Sequence, residues 1–367
     1  MPAADVLSAL VFHPERVTHE AIAAVDPGDL AEAAERQQVV TLALRGLRRA
    51  GAAGAAACRP HVDAMQHTAR LWAMHEALER EAIVPVLQRA AGLRLLFFKG
   101  AALAYGVYDV PADRMRIDWD VLIDTRDAAA AERALVESGF VKDVKTPGRI
   151  RVRQHSYRRA LEDGECAVDL HTGVVNAPSI AARIAFEDLA ARSVALPSLH
   201  PDARGLGDVD ALVLACLHRL VHHPGDQRLV WDADIVVLSR RIAGRLPELV
   251  ARAGEWRSGP LVAREIRRAM DKAAAPLSAE LAVALDTMAA QPSDALPYAR
   301  ENRSRGDDFA IDWRSLGWRD RLSLARETFL PGAEFVRASS GSRLPLPLLY
   351  LRRLAGGALG WFRRPDR

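Results

Sequence analysis

The run Ile117-Asp118-Trp119-Asp120-Val121-Leu122-Ile123 restricts the fold of this chain more than any other stretch. It is β-prone and apolar apart from two aspartates, and in a strand the side chains at i and i+2 share a face. Asp118 and Asp120 are therefore expected on one face, able to grip one metal ion. Ile117, Trp119 and Val121 then point the other way into a core, and Leu122 and Ile123 continue the buried stretch. Such a strand is anchored on one side and reactive on the other.

Two further segments complete a set. Leu95-Leu96-Phe97-Phe98 ends in Lys99-Gly100 and leads into a short helix expected over 101–108. Glycine lets a ligand approach the backbone closely, a helix N-terminus offers free N–H groups to phosphate, and Lys99 adds a point charge. Val168-Asp169-Leu170-His171 follows the turn residues Glu162-Asp163-Gly164 and supplies a third carboxylate on a short strand. If that strand pairs beside 117–123, Asp169 reaches the second metal of a two-metal site or takes a proton from an acceptor hydroxyl. Magnesium usually binds through one or two carboxylates while substrate phosphates and water complete its shell, so Mg²⁺ (or Mn²⁺) is the cofactor expected. Arg114, in a Pro-Ala-Asp-Arg loop ahead of the aspartates, is placed to contact a phosphate or the acceptor. Taken singly, each element has a plainer explanation: Asp-x-Asp as surface charge, Lys-Gly as a strand-ending turn, Arg114 as a solvated loop residue. Their order along one stretch favours metal-assisted chemistry on a nucleoside triphosphate (NTP).

A chain of 367 residues, 50% of them hydrophobic, fits two or three units with a sizeable core. Its 50 basic and 47 acidic residues leave a formal charge of +3, which argues against a dedicated nucleic-acid binder. Cys58, Cys166 and Cys216 lie far apart and define neither a disulfide framework nor a zinc motif. The start lacks the basic and apolar regions of a signal peptide, and no run of about 18 uncharged apolar residues occurs. The expectation is a soluble, cytoplasmic protein.

Residues 1–91 show helical spacing, with Leu71, Met74, Leu78, Ile83, Val84 and Leu87 as an apolar series, and read as an N-terminal helical region. The core is expected over 92–204. In it Thr125 caps a helix over 126–138 that stops at Gly139, and a hairpin joins 150–160 to 165–171 across Asp163-Gly164. His155, on the first arm, reads first as a structural histidine, with an accessory approach to the site opposite Asp169 as the alternative. A C-terminal helical domain over 205–338 holds helices at 209–221, 229–240, 246–253, 260–273 and 278–289. His218, His222 and His223 cluster at the end of the first. A zincin has Glu directly after its first His, whereas Arg219 stands here, so a core, hinge or nucleotide-domain contact is expected rather than zinc. Past the break Ser339-Ser340-Gly341-Ser342 comes an apolar-basic tail, 339–367. It interleaves Leu348, Leu349, Tyr350, Leu351, Leu354, Trp361 and Phe362 with Arg352, Arg353, Arg363 and Arg364, which suits packing back on the protein or a weak membrane or partner contact.

The strand ending in Phe98-Lys99-Gly100-Ala101-Ala102-Leu103-Ala104, the pattern Arg114-x-x-x-Asp118-x-Asp120-x-Leu122-Ile123, and Val168-Asp169-Leu170-His171 together resemble the uncharacterised nucleotidyltransferase family of the DNA polymerase β-like superfamily. His155, the His218 region, Leu229 to Asp234 and Phe329-Leu330-Pro331 also look like family positions, so the resemblance covers about residues 60 to 340. It implies an α/β (α+β) fold, a small mixed sheet flanked by helices with N- and C-terminal helical regions. It implies metal ligands at Asp118, Asp120 and Asp169, with His171 and Asp234 as accessory positions. Better-studied members of the superfamily have Gly-Ser where this chain has Lys99-Gly100, so a lysine charge stands where a serine hydroxyl would donate. The helical region after the core would close over the nucleotide or hold the acceptor.

The leading reading is transfer of a nucleoside monophosphate from an NTP to an unknown acceptor, whether small molecule, peptide or protein, by in-line displacement. A metal-dependent glycosyltransferase would also use Asp-x-Asp, on a sugar nucleotide, but generally places a longer nucleotide-binding half first; here the Lys-Gly turn lies roughly twenty residues upstream of the pair. A nucleotide-binding or regulatory protein that keeps the fold without turnover ranks below catalysis, because all three acidic positions are occupied.

Overall fold

The computed structural model describes residues 2–143, 148, 150–151, 153–223, 226, 228–300, 303–342 and 344–360. Five helices come first: α1 (Ala3–Phe12), α2 (His19–Ala23), α3 (Pro27–Arg36), α4 (Val40–Arg49) and the long α5 (Arg59–Arg89). Asp26 starts α3 by accepting the N–H groups of Gly28 and Asp29, with Pro27 in the first turn where it forfeits no hydrogen bond. Leu7, Leu10, Leu30, Leu47 and Met65 join these helices in one apolar cluster, which also takes in Leu229 to Trp231 from much later in the chain. α1 and α4 cross closely at Gly46, where a Cβ would stand 2.1 Å from the Leu10 carbonyl oxygen.

The helical reading of this region is correct, but its apolar series is not the buried face throughout. Ile83 and Leu87 are buried, whereas Leu71 and Met74 are 52% and 57% exposed. Mid-helix, the inward stripe of α5 is carried instead by Glu76 and Glu79, which meet the buried Arg116. Hydrophobic spacing cannot reveal a buried stripe made of acids.

β1 (Leu95–Phe97), α6 (Lys99–Gly106), β2 (Trp119–Ile123), α7 (Ala128–Glu137), β3 (Val141–Lys142), β4 (Gln154–Leu161) and β5 (Gly164–His171) follow, then α8 (Pro178–Ala181), α9 (Phe186–Ala191), β6 (Val194–Ala195) and β7 (Arg204–Gly205). They form a seven-stranded mixed sheet in the order β3-β4-β5-β2-β1-β7-β6. β2 lies parallel to β5 and antiparallel to β1, so the strands carrying the aspartates are central and adjacent, while the two-residue strands β3 and β6 form the edges. One face of the sheet, with Phe97, Trp119, Ile123, Tyr157 and Val168, packs on Ile83 and Leu87 of α5 and Leu135 of α7. The other face bears Asp120, Asp169 and His171, and its apolar members Leu96, Phe98 and Leu122 join the C-terminal helices. The expected architecture, a mixed sheet flanked by helices, is what the chain adopts.

Two local expectations fail near β2. Ile117 is 69% exposed, because the ladder starts at Trp119 and the two residues before it lie outside the strand. Thr125 does not cap a helix: the Asp124 carboxylate accepts the N–H of Arg126 instead, and α7 starts only at Ala128. Gly139 does stop that helix, at φ +87°, a conformation costly for other residues.

The remaining helices are α10 (Asp208–His222), α11 (Leu229–Arg241), α12 (Leu246–Glu255), α13 (Gly259–Lys272), α14 (Ala279–Ala289), α15 (Arg305–Ser315), α16 (Trp318–Phe329), α17 (Ala333–Ser340) and α18 (Leu346–Gly360). The five helices expected between 209 and 289 all occur. Leu212 and Leu217 of α10, Ile235 of α11, Ile266 of α13 and Met288 of α14 share one core. Charge is buried among them as well: Asp232 meets Arg268 and Lys272, and Glu265 meets Arg219. No described helix is long and apolar enough to cross a membrane. Within the tail, Leu349 is buried and the Tyr350 hydroxyl donates to the Pro331 carbonyl; Trp361, Phe362, Arg363 and Arg364 lie outside the described residues.

Candidate active site

The register sets Asp120 directly beside Asp169 on neighbouring parallel strands, both on the face away from Trp119 and Val168. Each carboxylate is held from its own side. The β4 ladder brings Ser156 opposite Asp169, so Ser156 Oγ donates to Asp169 Oδ1 and Gln154 Nε2 donates to Oδ2 at 2.6 Å. Asp120 Oδ1 accepts from Lys99 Nζ at 2.6 Å and from His171 Nε2 at 2.8 Å. Among the described residues, Asp120, Asp169 and His171 form the group that offers metal-ligand atoms all within 4.8 Å of one another. Two adjacent carboxylates, with an imidazole bonded to one of them, are a donor set suited to a divalent cation. Asp118, expected as a ligand, falls outside that group, one residue before β2, but it lines the same cleft of about 240 Å³.

Burial works against charge on Asp120, yet Lys99 and the His171 hydrogen bond outweigh it and hold its carboxyl well below the usual range. Asp118 goes the other way: burial, then the charges of Asp120 and Asp169, push it up to about 7 against the pull of Lys99. Burial and the Lys99 charge lower His171, so it is neutral at pH 7 and its Nε2 carries the proton it donates. A histidine engaged in this way fixes the orientation of the carboxylate it touches.

Lys99 opens α6 with φ +51°, in the left-handed region that favours glycine. That turn therefore makes the backbone shape for which glycine is the unstrained choice, with a lysine in it whose ammonium reaches Asp120. A Cβ at Gly100 would lie 3.1 Å from Arg116 Cβ and 3.4 Å from Arg114 Nη1, so the turn sits tightly on the loop before β2.

Arg114 lines the cleft but is committed: its Nε and Nη2 reach Asp234 at 2.8 Å, and Nη1 donates to the Met115 carbonyl. Asp234 also accepts from Tyr108 at 2.9 Å and is 3% exposed, not a helix-surface acid; burial raises its carboxyl, with Arg114 opposing. This pair ties α11 to the site. His218, His222, His223 and Trp231 also line the cleft. Burial and the Lys99 charge push His222 down to about 3, so it is neutral, and its Nε2 accepts the Asn176 N–H.

His155 does not approach the site, which excludes the accessory reading and leaves the structural one. It pairs with Leu170, one step out of phase with Asp169, and faces Lys142 and Glu132 on the far side of the sheet. The residues in its intended place are Gln154 and Ser156, polar positions of the opposite parity in the same strand.

Residues 23–269 match the sequence model of a family described as uncharacterised nucleotidyltransferase. The chain belongs to that family. The matched span takes in α3 to α12, most of α13 and every strand of the sheet; it starts earlier than the expected residue 60 and excludes Phe329-Leu330-Pro331. No curated protein and no solved structure matches this nucleotidyltransferase-family chain.

Proposed function

We propose that this chain transfers a nucleoside monophosphate from a Mg²⁺-bound NTP to the hydroxyl of an acceptor. The observation that most supports this is the register pair Asp120 and Asp169 at the cleft, with the Lys99 ammonium at the head of α6 beside them. Asp120 and Asp169, with Asp118 alongside, would hold the cation; Mn²⁺ suits the same donors. When bound, the ion supplies charge neutralisation at the phosphates and at the attacking and leaving oxygens.

The chain's own groups do the rest. Lys99 and the first N–H groups of α6 neutralise and orient the phosphates. Asp169, its rotamer fixed by Gln154 and Ser156, accepts the acceptor's hydroxyl proton. Neutral His171 keeps Asp120 in place. Arg114, engaged by Asp234, fixes the loop carrying Asp118 rather than gripping phosphate itself. The wall of α10 and α11, with His218, His222 and Trp231, limits water access opposite the carboxylates. The sugar-nucleotide reading has no observation of its own.

The test is calorimetric titration of each Mg-NTP into the wild type and into an Asp118→Asn, Asp120→Asn variant shown to be folded. Metal-dependent binding that disappears in the variant is expected, followed by pyrophosphate release in an acceptor screen. Binding without pyrophosphate release under any acceptor would favour a regulatory protein, and absence of binding for every NTP would overturn the proposal.

A further inference from the structure

The C-terminal end of the chain concentrates exposed apolar surface. Of the 17 large hydrophobic residues that stand exposed among the described residues, seven fall between Trp318 and Leu354, so their distribution is not the scatter ordinary surfaces show. On α18 they are ordered: Leu348, Leu351 and Leu354, at 48%, 61% and 40% exposure, follow one another at three-residue steps with Pro347 and Ala355 on the same arc. The opposite arc is already used, since Leu349 is buried and Tyr350 is bonded to Pro331. α18 is thus held to the protein by one side and presents an apolar stripe on the other. α16, two helices earlier, also exposes large apolar side chains, Trp318 and Leu322 at 67% and 62% exposure.

Charge narrows the choice of what covers that stripe. From Phe335 to Pro365 the sequence contains six arginines and no aspartate or glutamate, and Trp361 and Phe362 adjoin the last pair. A second copy of the same helix would bring Arg352, which adjoins the stripe four residues after Leu348, up against its counterpart. A sheet of anionic headgroups over hydrocarbon complements both features at once, with leucines entering the acyl boundary and arginines at headgroup level. The described helix has Arg352 and Arg353 in the middle of its 15 residues, which suits a helix lying in the interface rather than crossing the hydrocarbon.

We propose that α18 is an interfacial helix that docks this protein on anionic lipid surfaces. The full-length chain is to be sedimented with sucrose-loaded vesicles of phosphatidylglycerol mixed into phosphatidylcholine, and with vesicles of phosphatidylcholine alone. Binding to the anionic vesicles only, weakened by added salt, is expected. Leu348→Ser with Leu351→Ser should lower the partition coefficient at least about tenfold while the far-UV spectrum and thermal midpoint stay those of the wild type; Arg352→Glu with Arg353→Glu should lower it as far with the far-UV spectrum kept, its thermal midpoint falling slightly because Arg353 also stacks over Phe335. A wild-type chain left in the supernatant at low salt overturns the proposal. So does binding that both pairs of substitutions leave intact, or a wild-type dimer in sedimentation velocity that the leucine pair dissolves, which would make the stripe a protein interface.

Discussion

Lys99 carries two burdens that substitution can separate. Its ammonium sits 2.6 Å from Asp120, with the two side chains 18% and 5% exposed, so the pair is largely out of water. Removing one member of such a pair leaves an uncompensated carboxylate, at a cost of about 3–5 kcal/mol. His171 still donates to Asp120, which places Lys99→Met near the lower end, at about 3 kcal/mol. The second burden is the backbone at φ +51°, worth about 1 kcal/mol against any residue with a Cβ. Lys99→Gly loses the charge but regains the backbone term, so it should unfold about 1 kcal/mol later than Lys99→Met. Because the Asp120 carboxyl is depressed in the folded state, its stabilisation is present at neutral pH and lost as pH falls through the folded value; that acid-side loss should shrink in Lys99→Met. Magnesium should stabilise Lys99→Met more than wild type, since the cation no longer competes with an ammonium for the same oxygen. Urea unfolding followed by circular dichroism, in chelator and then in excess Mg²⁺, reads all of this. A metal-free Lys99→Met within about 0.5 kcal/mol of wild type would refute the buried pair, and a Gly variant no more stable than the Met variant would refute the backbone term.

Arg114→Met should cost about 3–5 kcal/mol in urea unfolding, because it strands Asp234 at 3% exposure. Adding Asp234→Asn, which removes the stranded charge and still accepts from Tyr108, should restore part of that loss. Gly46→Ala should lose about 1–3 kcal/mol, since the clash is with a backbone carbonyl and the crossing of α1 and α4 must open. Burial raises the Asp312 carboxyl to about 6, so the folded state holds this proton more tightly than the unfolded chain. Its contribution to stability is full below about pH 4 and falls by up to about 3 kcal/mol as pH rises through 6; the difference between wild type and Asp312→Asn, measured from pH 4 to 7, isolates it.

The central pairing was legible because its signals are local. Alternating parity put Asp120 on one face and Trp119 on the other, and the turn after Leu161 fixed the hairpin. The same turn also decides between the two readings of His155: Leu161 pairs with Gly164, and carrying that ladder along reaches Ser156 opposite Asp169. Parity therefore assigns Gln154 and Ser156 to the site and leaves His155 to a structural role, the more usual one for a histidine. Ile117 was misread for another reason, since strand propensity says nothing about where a neighbour's ladder begins. The Arg114–Asp234 pair was beyond reach, because it joins positions 120 residues apart and each has an ordinary local explanation.

The position of the carboxylates within the sheet determines how the protein comes apart. Asp120 and Asp169 ride on the two innermost strands, whereas both edges are strands of only two residues. Amide hydrogens of β3 and β6 should exchange through small, frequent openings, and those of β2 and β5 only when the whole sheet separates. Fraying can then run its course at the rim while the two acids keep their spacing. On heating, the chain should retain the spacing of Asp120 and Asp169 until cooperative collapse rather than lose it in advance.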